Sequence, residues 1–194
     1  MKKIVFVILL LGIYLSSLIS QDATLKPEGH VFDNLKEEYK LVSYFISTNQ
    51  RRYYRKLDEK NKWEYISAFW KAQDPNPATE SNEFLLEIKA RIEYCNQHFS
   101  HFNKGWETDT GKVYIKYGKP FEVLKLNTGS GTKFAQKEYQ IWKYRIKSYR
   151  TFIFIDLHQN ESYRLIFSDG DGTEGSWADW RSYLGNNFSE DLLQ

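Results

Sequence analysis

Six polar or aromatic side chains lie around one apolar, helix-like segment and could supply acid–base chemistry. They are Asp74, Asn82, Arg91, Trp106, Thr108 and Asp109. Two of them precede the segment, one lies midway along it and three follow it, so folding can gather them at one junction. Positioned carboxylates can exchange protons with a substrate. The set therefore predicts a polar site, and one hypothesis is a hydrolase or transferase centred on Asp74, Arg91 and Asp109.

The same residues also suit a structural turn. Gly105 allows unusual backbone geometry, Trp106 can bury a large apolar area, and Thr108 and Asp109 can accept hydrogen bonds from N–H groups of their own turn. Arg91 would then pair with one of the two aspartates inside the fold. We favour this structural turn over a polar functional site, because such side chains usually bond to the nearby backbone.

The spacing C-x2-H-x2-H at Cys95, His98 and His101 raises the question of a metal site. On a helix the third residue points about 240° away from the first, so the three side chains do not converge. Cys95 also lies on the apolar stripe of its segment. We therefore predict a core cysteine, neither a ligand nor a nucleophile, and expect no metal and no cofactor.

Two further acidic features invite chemistry but have simpler interpretations. Asp156 interrupts an apolar strand-like segment and is expected at an edge or facing a turn. Residues 169–174 resemble a calcium loop only faintly, because the D-x-D-x-D-G spacing and the distant glutamate are missing. We interpret this segment as an acidic turn.

Apolar residues at three- and four-residue intervals predict three helices. The first spans Val31–Thr48 and the second spans Asp58–Ala72, where Asp74-Pro75-Asn76-Pro77 ends it. The third starts at Thr79, Ser81 or Asn82 and carries an apolar seam that runs about six turns, as far as Phe102.

From Gly111 onward the apolar period becomes two, which predicts antiparallel strands. The predicted strands are Val113–Tyr117, Tyr139–Tyr144, Thr151–Leu157 and Ser162–Phe167, with turns at 118–120 and 158–161 and a loop at 127–133. Helices followed by strands indicate an α+β fold, in which a layer of about three helices packs on a sheet of about four strands.

The N-terminal segment predicts export. Lys2 and Lys3 precede an apolar stretch too short for a typical membrane span, and small residues follow it, so we expect a signal peptide at 1–20, cleaved near Ser20 and Gln21. The alternative is an N-terminal membrane anchor. A linker at 21–30, a domain at 31–168, and an acidic loop with a docking C-terminal segment at 169–194 complete the predicted organisation.

Composition narrows the class of protein. The chain has 194 residues, of which 41% are hydrophobic and 17% aromatic, typical of a globular domain with a substantial core. Without residues 1–20 the chain carries equal numbers of basic and acidic residues, which argues against a nucleic-acid-binding protein. A single cysteine excludes an intramolecular disulfide.

Five ordered blocks resemble one family. Gly105-Trp106-Glu107-Thr108-Asp109 matches a GWxTD motif, and four further blocks lie at 69–84, 91–94, 111–120 and 139–144. Over residues 32–168 the chain therefore resembles the GWxTD domain family. The resemblance implies an exported bacterial protein and carries no established biochemical activity.

Two hypotheses about function follow from the sequence. The favoured one is a periplasmic or secreted, non-catalytic module that binds an envelope protein or polymer and meets the membrane only through its signal segment. The rival is the hydrolase or transferase described above. The candidate binding or motif residues are Asp74, Asn82, Arg91, Gly105, Trp106, Thr108, Asp109 and Tyr117.

Overall fold

The computed structural model describes residues 29–146, 148–169 and 175–193. The predicted signal peptide, most of the predicted linker and the centre of the acidic loop lie outside these ranges. The helices are α1 (Leu35–Val42), α2 (Thr48–Tyr54), α3 (Glu59–Ala72), α4 (Glu83–His98), α5 (Asp109–Tyr117) and α6 (Trp180–Leu184). The strands are β1 (Glu122–Asn127), β2 (Glu138–Ile146), β3 (Ser148–Ile155) and β4 (Arg164–Ser168). The predicted α+β class is confirmed, with about twice the expected number of helices.

Side-chain caps decide where the first helices begin. The predicted single helix over Val31–Thr48 is wrong, because α1 ends at Val42 and Ser47 begins α2 through a capping box with Gln50. The third predicted helix begins as expected, since the Asn82 side chain accepts a hydrogen bond from the N–H of Leu85.

Helix α4 is shorter than its apolar seam predicted. The chain leaves the helix at Phe99, so the seam ends there and Phe102 is 84% exposed. The chain then folds back and brings Gly105 against the backbone of Cys95. This return, which places a 3₁₀ turn (Gly105–Glu107) on α4, ends the helix before Phe102.

The predicted strand at Val113–Tyr117 is also wrong, because these residues form the end of α5. The alternating burial has a different cause. Val113 packs into the aromatic cluster on the sheet, whereas Ile115 packs into the helical core. Residues two positions apart in sequence point about 200° away from each other on a helix. A helix buried between two layers can therefore imitate the period of a strand.

The four strands form one antiparallel sheet in the order β1-β2-β3-β4. Strand β1 was not predicted from the sequence. The segment predicted as the preceding strand is α5, and β1 occupies the sheet edge, with Val123 opposite Trp142 and Leu126 opposite Tyr139.

Each face of the sheet has its own covering layer. One face, with Trp142, Tyr144, Phe152 and Phe154, packs against α5 and the end of α4. The opposite face includes Tyr139, Ile141, Ile153 and Ile155, and it is covered by Trp180 and Leu184 of α6. The helical layer thus packs on one face, as expected, and the C-terminal segment covers the other.

The helices enclose a second core of their own. Leu41, Ile66, Trp70, Ile88 and Trp106 are each at most 2% exposed within it. Within the described ranges, every helix is too short or too polar to cross a membrane.

Candidate functional site

The segment Gly105–Asp109 lies where α4, α5 and the sheet meet, and two glycines set its packing. A Cβ atom on Gly105 would lie 1.8 Å from the carbonyl oxygen of Cys95, and one on Gly111 would lie 2.0 Å from the carbonyl oxygen of Gly105. Both distances are far inside van der Waals contact. Three backbone segments therefore stack directly, and the glycine at 105 is needed for this close approach.

Thr108 begins helix α5. Its hydroxyl donates to the carbonyl oxygen of Gly105 (2.7 Å) and accepts from the N–H of Gly111 (3.0 Å). The predicted cap at Thr108 is therefore confirmed. By bonding to both sides, the side chain fixes the angle between the 3₁₀ turn and the helix.

Trp106 is buried, as the sequence predicted, with only 1% of its surface exposed. Its ring stacks on Phe32 at a centroid distance of 5.1 Å and tilts against Tyr44. The ammonium of Lys40 lies 5.7 Å from the ring centroid, and the same ammonium pairs with Glu107. The motif thus holds α1 and the residues before it as well as α4.

Asp109 does not cap its own turn, contrary to the sequence prediction. One carboxylate oxygen accepts from Lys112 at 2.9 Å. The other accepts from the backbone N–H of Leu165 and from the guanidinium of Arg164, both at 3.1 Å. The side chain therefore ties the start of α5 to strand β4, across 56 residues of sequence.

The electrostatics at Asp109 favour the charged form. Burial alone disfavours the carboxylate, but the Lys112 ammonium, the Leu165 N–H and the Arg164 charge together outweigh it and lower the pKa of Asp109 below its usual value. A carboxylate held ionised by three donors is suited to a fixed structural bond, and it is a poor proton acceptor near neutral pH.

Arg91 holds the other end of α5. It donates to the carbonyl oxygen of Ile115 (2.6 Å) and to Glu87 (2.5 Å), and it lies against Gly118. A cation near the last carbonyls of a helix is favourable because of the helix dipole. The expectation that Arg91 pairs with one of the two aspartates is therefore wrong.

The remaining predicted residues occupy separate places. Asn82 joins two helices, because its amide also donates to the carbonyl oxygen of Trp70. Asp74 accepts from the N–H of Asn76 and, with Asn82, lines a cavity of about 380 Å³ between α3 and α4. Tyr117 packs its ring against β2 and β3. Arg91 and Asp109 do not line that cavity, so the three groups of the enzyme hypothesis do not converge there.

Cys95 lies in the core and Asp156 faces a turn, as the sequence predicted. Burial raises the pKa of the Cys95 thiol to about 12, so the reactive thiolate is disfavoured. Asp156 accepts from the N–H groups of His158 and Glu161 and thereby caps the turn between β3 and β4. Among the described residues, no cluster of histidine, cysteine and carboxylate groups is arranged to hold a metal ion.

A large concave surface lies elsewhere, and the sequence did not predict it. A groove of about 1410 Å³ separates α1 from α3, and we call it the α1–α3 groove. Its lining residues are His30, Phe32, Asp33, Asn34, Leu35, Lys36, Tyr39, Tyr54, Glu59, Lys60, Lys62, Trp63, Glu64 and Ser67. Four aromatic rings line the groove, with three acidic and three lysine side chains among them.

A buried carboxylate holds this groove together. Glu38 has no exposed surface, and it accepts from the N–H groups of Val31 and Phe32 and from the indole of Trp70, the last at 2.6 Å. His30 Nδ1 lies 3.4 Å from the same carboxylate. Glu38 therefore binds the segment before α1 to α3, and this segment forms one wall of the groove.

The groups Glu38, His30 and Ser67 stand in the order carboxylate, imidazole, hydroxyl. Ser67 Oγ lies 3.2 Å from His30 Nε2, but it donates its proton to the carbonyl oxygen of Trp63 at 2.9 Å. A hydrolytic serine must instead donate to the imidazole. Ser67 and the nearby Glu38 carboxylate thus position the His30 ring in the groove wall.

One sequence signal could have located Glu38. In the predicted first helix, Leu35, Tyr39 and Val42 form the apolar stripe, and Glu38 lies on the same face. A carboxylate on an apolar stripe indicates a buried network. The partner of Glu38 on α3, Trp70, is 32 residues away, and nothing in the local pattern identifies it.

The chain was compared with known proteins. The sequence model of the family described as GWxTD domain matches residues 16–170, which is most of the chain. Neither the curated proteins nor the solved structures include a match. The resemblance drawn from the five sequence blocks is confirmed, and the chain belongs to the GWxTD domain family.

Proposed function

We propose that the protein is an exported, non-catalytic binding module that holds a segment of an envelope protein or polymer in the α1–α3 groove. The observation that carries this proposal is the groove itself, a large concavity lined by aromatic rings. Tyrosine and tryptophan are favoured at binding surfaces because they combine a large apolar face with a polar tip.

The rings of the groove are held in fixed positions. Tyr39 and Tyr54 stack in parallel at 3.9 Å, and Trp63 contacts the ring of His30 edge-on at 4.9 Å. Burial, with a smaller contribution from Tyr39, raises the pKa of Tyr54 to about 12, so its hydroxyl remains a neutral hydrogen-bonding group. A fixed aromatic wall loses little entropy when a ligand binds.

The charge at the groove favours a ligand without strong net charge. Lys36, Lys60 and Lys62 are balanced by Asp33, Glu59 and Glu64. A polyanion such as nucleic acid would need a surplus of lysine and arginine. Mixed charge around aromatic rings suits an uncharged glycan or an extended protein segment whose side chains carry both signs of charge.

The rival enzyme hypothesis has less support. Its three groups are each bonded to structural partners, and Asp109 and Arg91 secure opposite ends of α5. The export part of the proposal rests on the N-terminal sequence, which lies outside the described residues.

Site-directed photo-crosslinking tests the groove. A photo-reactive amino acid replaces Lys60, whose side chain is 87% exposed at the groove rim, and the protein is irradiated in the envelope fraction of its host. We expect a covalent adduct that Trp63→Ala reduces at least about tenfold, as for an aromatic binding anchor. Mass spectrometry of the adduct distinguishes a protein partner from a glycan.

Two matched controls accompany this test. The same photo-reactive residue at Gln97, exposed on α4, should give no adduct of the same mass, and Tyr53→Ala removes an exposed ring outside the groove. Equal adduct yields at both positions, or equal losses for Trp63→Ala and Tyr53→Ala, would contradict the proposal.

A further inference from the structure

Apolar side chains are concentrated at one end of the sheet, remote in sequence from the groove. Four of the eight large hydrophobic side chains that the described residues expose lie at the start of β1 and at the β2–β3 hairpin. Together with one arginine they define the sheet-tip patch, which consists of Phe121, Val123, Arg145, Ile146 and Tyr149. Single exposed apolar residues are ordinary, but a cluster of this kind marks an interaction surface.

The arginine of the patch lies between two rings. The Arg145 guanidinium carbon is 4.9 Å from the ring centroid of Phe121 and 5.3 Å from that of Tyr149. Phe121 and Tyr149 are 49% and 64% exposed. The cation is thus presented to solvent within an apolar surface.

The surrounding sequence is strongly basic although the whole chain is nearly neutral. Residues 119–122 and 143–150, which belong to this end of the sheet, contain five lysine or arginine residues and one acidic residue. The acidic residue, Glu122, is bound to Lys143 at 3.2 Å. Basic residues therefore outnumber acidic ones in the two segments that form the tip.

We propose that the sheet-tip patch docks onto a membrane surface that contains anionic lipids. Exposed aromatic and aliphatic side chains can enter the headgroup boundary, while lysine and arginine beside them attract lipid phosphates. Charge complementarity selects this partner over a neutral surface. The inference goes beyond the proposed groove function, and it adds a membrane contact that the sequence predicted only through the signal segment.

A probe at the tip tests the docking without interference from the N-terminal segment. Ser148→Cys places a thiol at the hairpin, and the buried Cys95 stays unlabelled in the folded protein. The full chain carries an environment-sensitive dye at this thiol and is mixed with phosphatidylcholine vesicles, with or without phosphatidylglycerol. We expect a blue shift and quenching by brominated lipid only when phosphatidylglycerol is present, and a loss of both at high salt.

Variants and a second labelling site make the test decisive. Arg145→Glu should weaken the response about tenfold or more, because each basic group near an anionic surface contributes substantially. Arg52→Glu, the same charge reversal on α2, should leave it unchanged, and a dye on Gln97→Cys should remain in water. The proposal fails if the dye at 148 stays in water, if the dye at 97 responds equally, if both reversals act alike, or if vesicles without phosphatidylglycerol give the same signal.

Discussion

The Gly105–Asp109 segment and the α1–α3 groove use similar residue types in opposite ways. In the segment, the side chains of Glu107, Thr108 and Asp109 are all bonded to other groups of the same chain, and Trp106 is 1% exposed. In the groove, rings and charged groups face a cavity of about 1410 Å³. A recognisable motif can therefore mark the part of a domain that holds it together, and the binding that we propose lies on a less conspicuous surface.

The two regions are connected. Phe32 lines the groove and stacks on Trp106. Lys40 of α1 pairs with Glu107 of the motif, and Glu37 of α1 pairs with Lys104 just before it. The motif therefore supports one wall of the groove. Asp109 lies outside the groove and bonds to strand β4, so its loss is expected to act on the groove only through the stability of the fold.

The largest effect is expected at the closest backbone contact. Gly105→Ala should destabilise the protein by more than about 4 kcal/mol or prevent folding, because the new Cβ would meet the Cys95 carbonyl. Chemical denaturation measures the loss. Gly175→Ala, at a position with open space, is the control and should change stability by less than about 0.5 kcal/mol. Similar losses for both would remove the backbone-stacking explanation.

The buried carboxylate beneath the groove comes next. Glu38→Gln should cost about 3 kcal/mol, because an amide offers one acceptor oxygen where the buried carboxylate accepts from three N–H donors. The neighbouring Glu37→Gln removes only a partly exposed pair with Lys104 and should cost about 1 kcal/mol or less. Thermal unfolding compares the stability of the two variants. Equal losses of stability would show that the buried Glu38 network adds nothing beyond an exposed ion pair.

Asp109→Asn should cost about 2 kcal/mol at neutral pH, since it weakens charged hydrogen bonds to strand β4. The folded pKa of Asp109 lies below its ordinary value of 3.8, so the unfolded chain binds the proton more readily. The stabilisation is therefore present above that pH and declines as the pH falls below it towards the folded pKa. Denaturation across this range should show the decline in the parent protein and a weaker one in the variant. An identical decline in both would assign it to other carboxylates.

Among the test variants, apart from their controls, the smallest stability effect is expected in the groove. Trp63→Ala should cost about 1 kcal/mol or less, because the ring is only partly buried and packs at the edge of His30. A loss comparable to that of Gly105→Ala would place Trp63 in the core and weaken the contrast between the regions.

The sequence predicted bonds between neighbouring residues well, but it predicted poorly the features that depend on packing between layers. Thr108, Asn82 and Asp156 cap the turns next to them, and short spacing is enough to identify such bonds. Helix α5 was mistaken for a strand because Val113 and Ile115 are buried by different layers. Periodicity reports which residues are buried but not which layer buries them.

Long-range partners account for the other misses. Asp109 bonds to Leu165 and Glu38 bonds to Trp70, and neither pairing follows from local spacing. The groove is likewise formed by α1, α2 and α3 together with the segment before them, so its residues share no common period. The family match identifies the domain but assigns no residue to a function.

The most direct test separates binding from folding in one measurement. The adduct yield at position 60 is compared for Asp109→Asn and Trp63→Ala under conditions in which circular dichroism shows both variants to be folded. If the motif stabilises the fold and the α1–α3 groove binds the ligand, Asp109→Asn should retain the parent yield and Trp63→Ala should lose most of it. A folded Asp109→Asn protein without adduct, together with full yield from Trp63→Ala, would contradict the account and return the binding site to the motif.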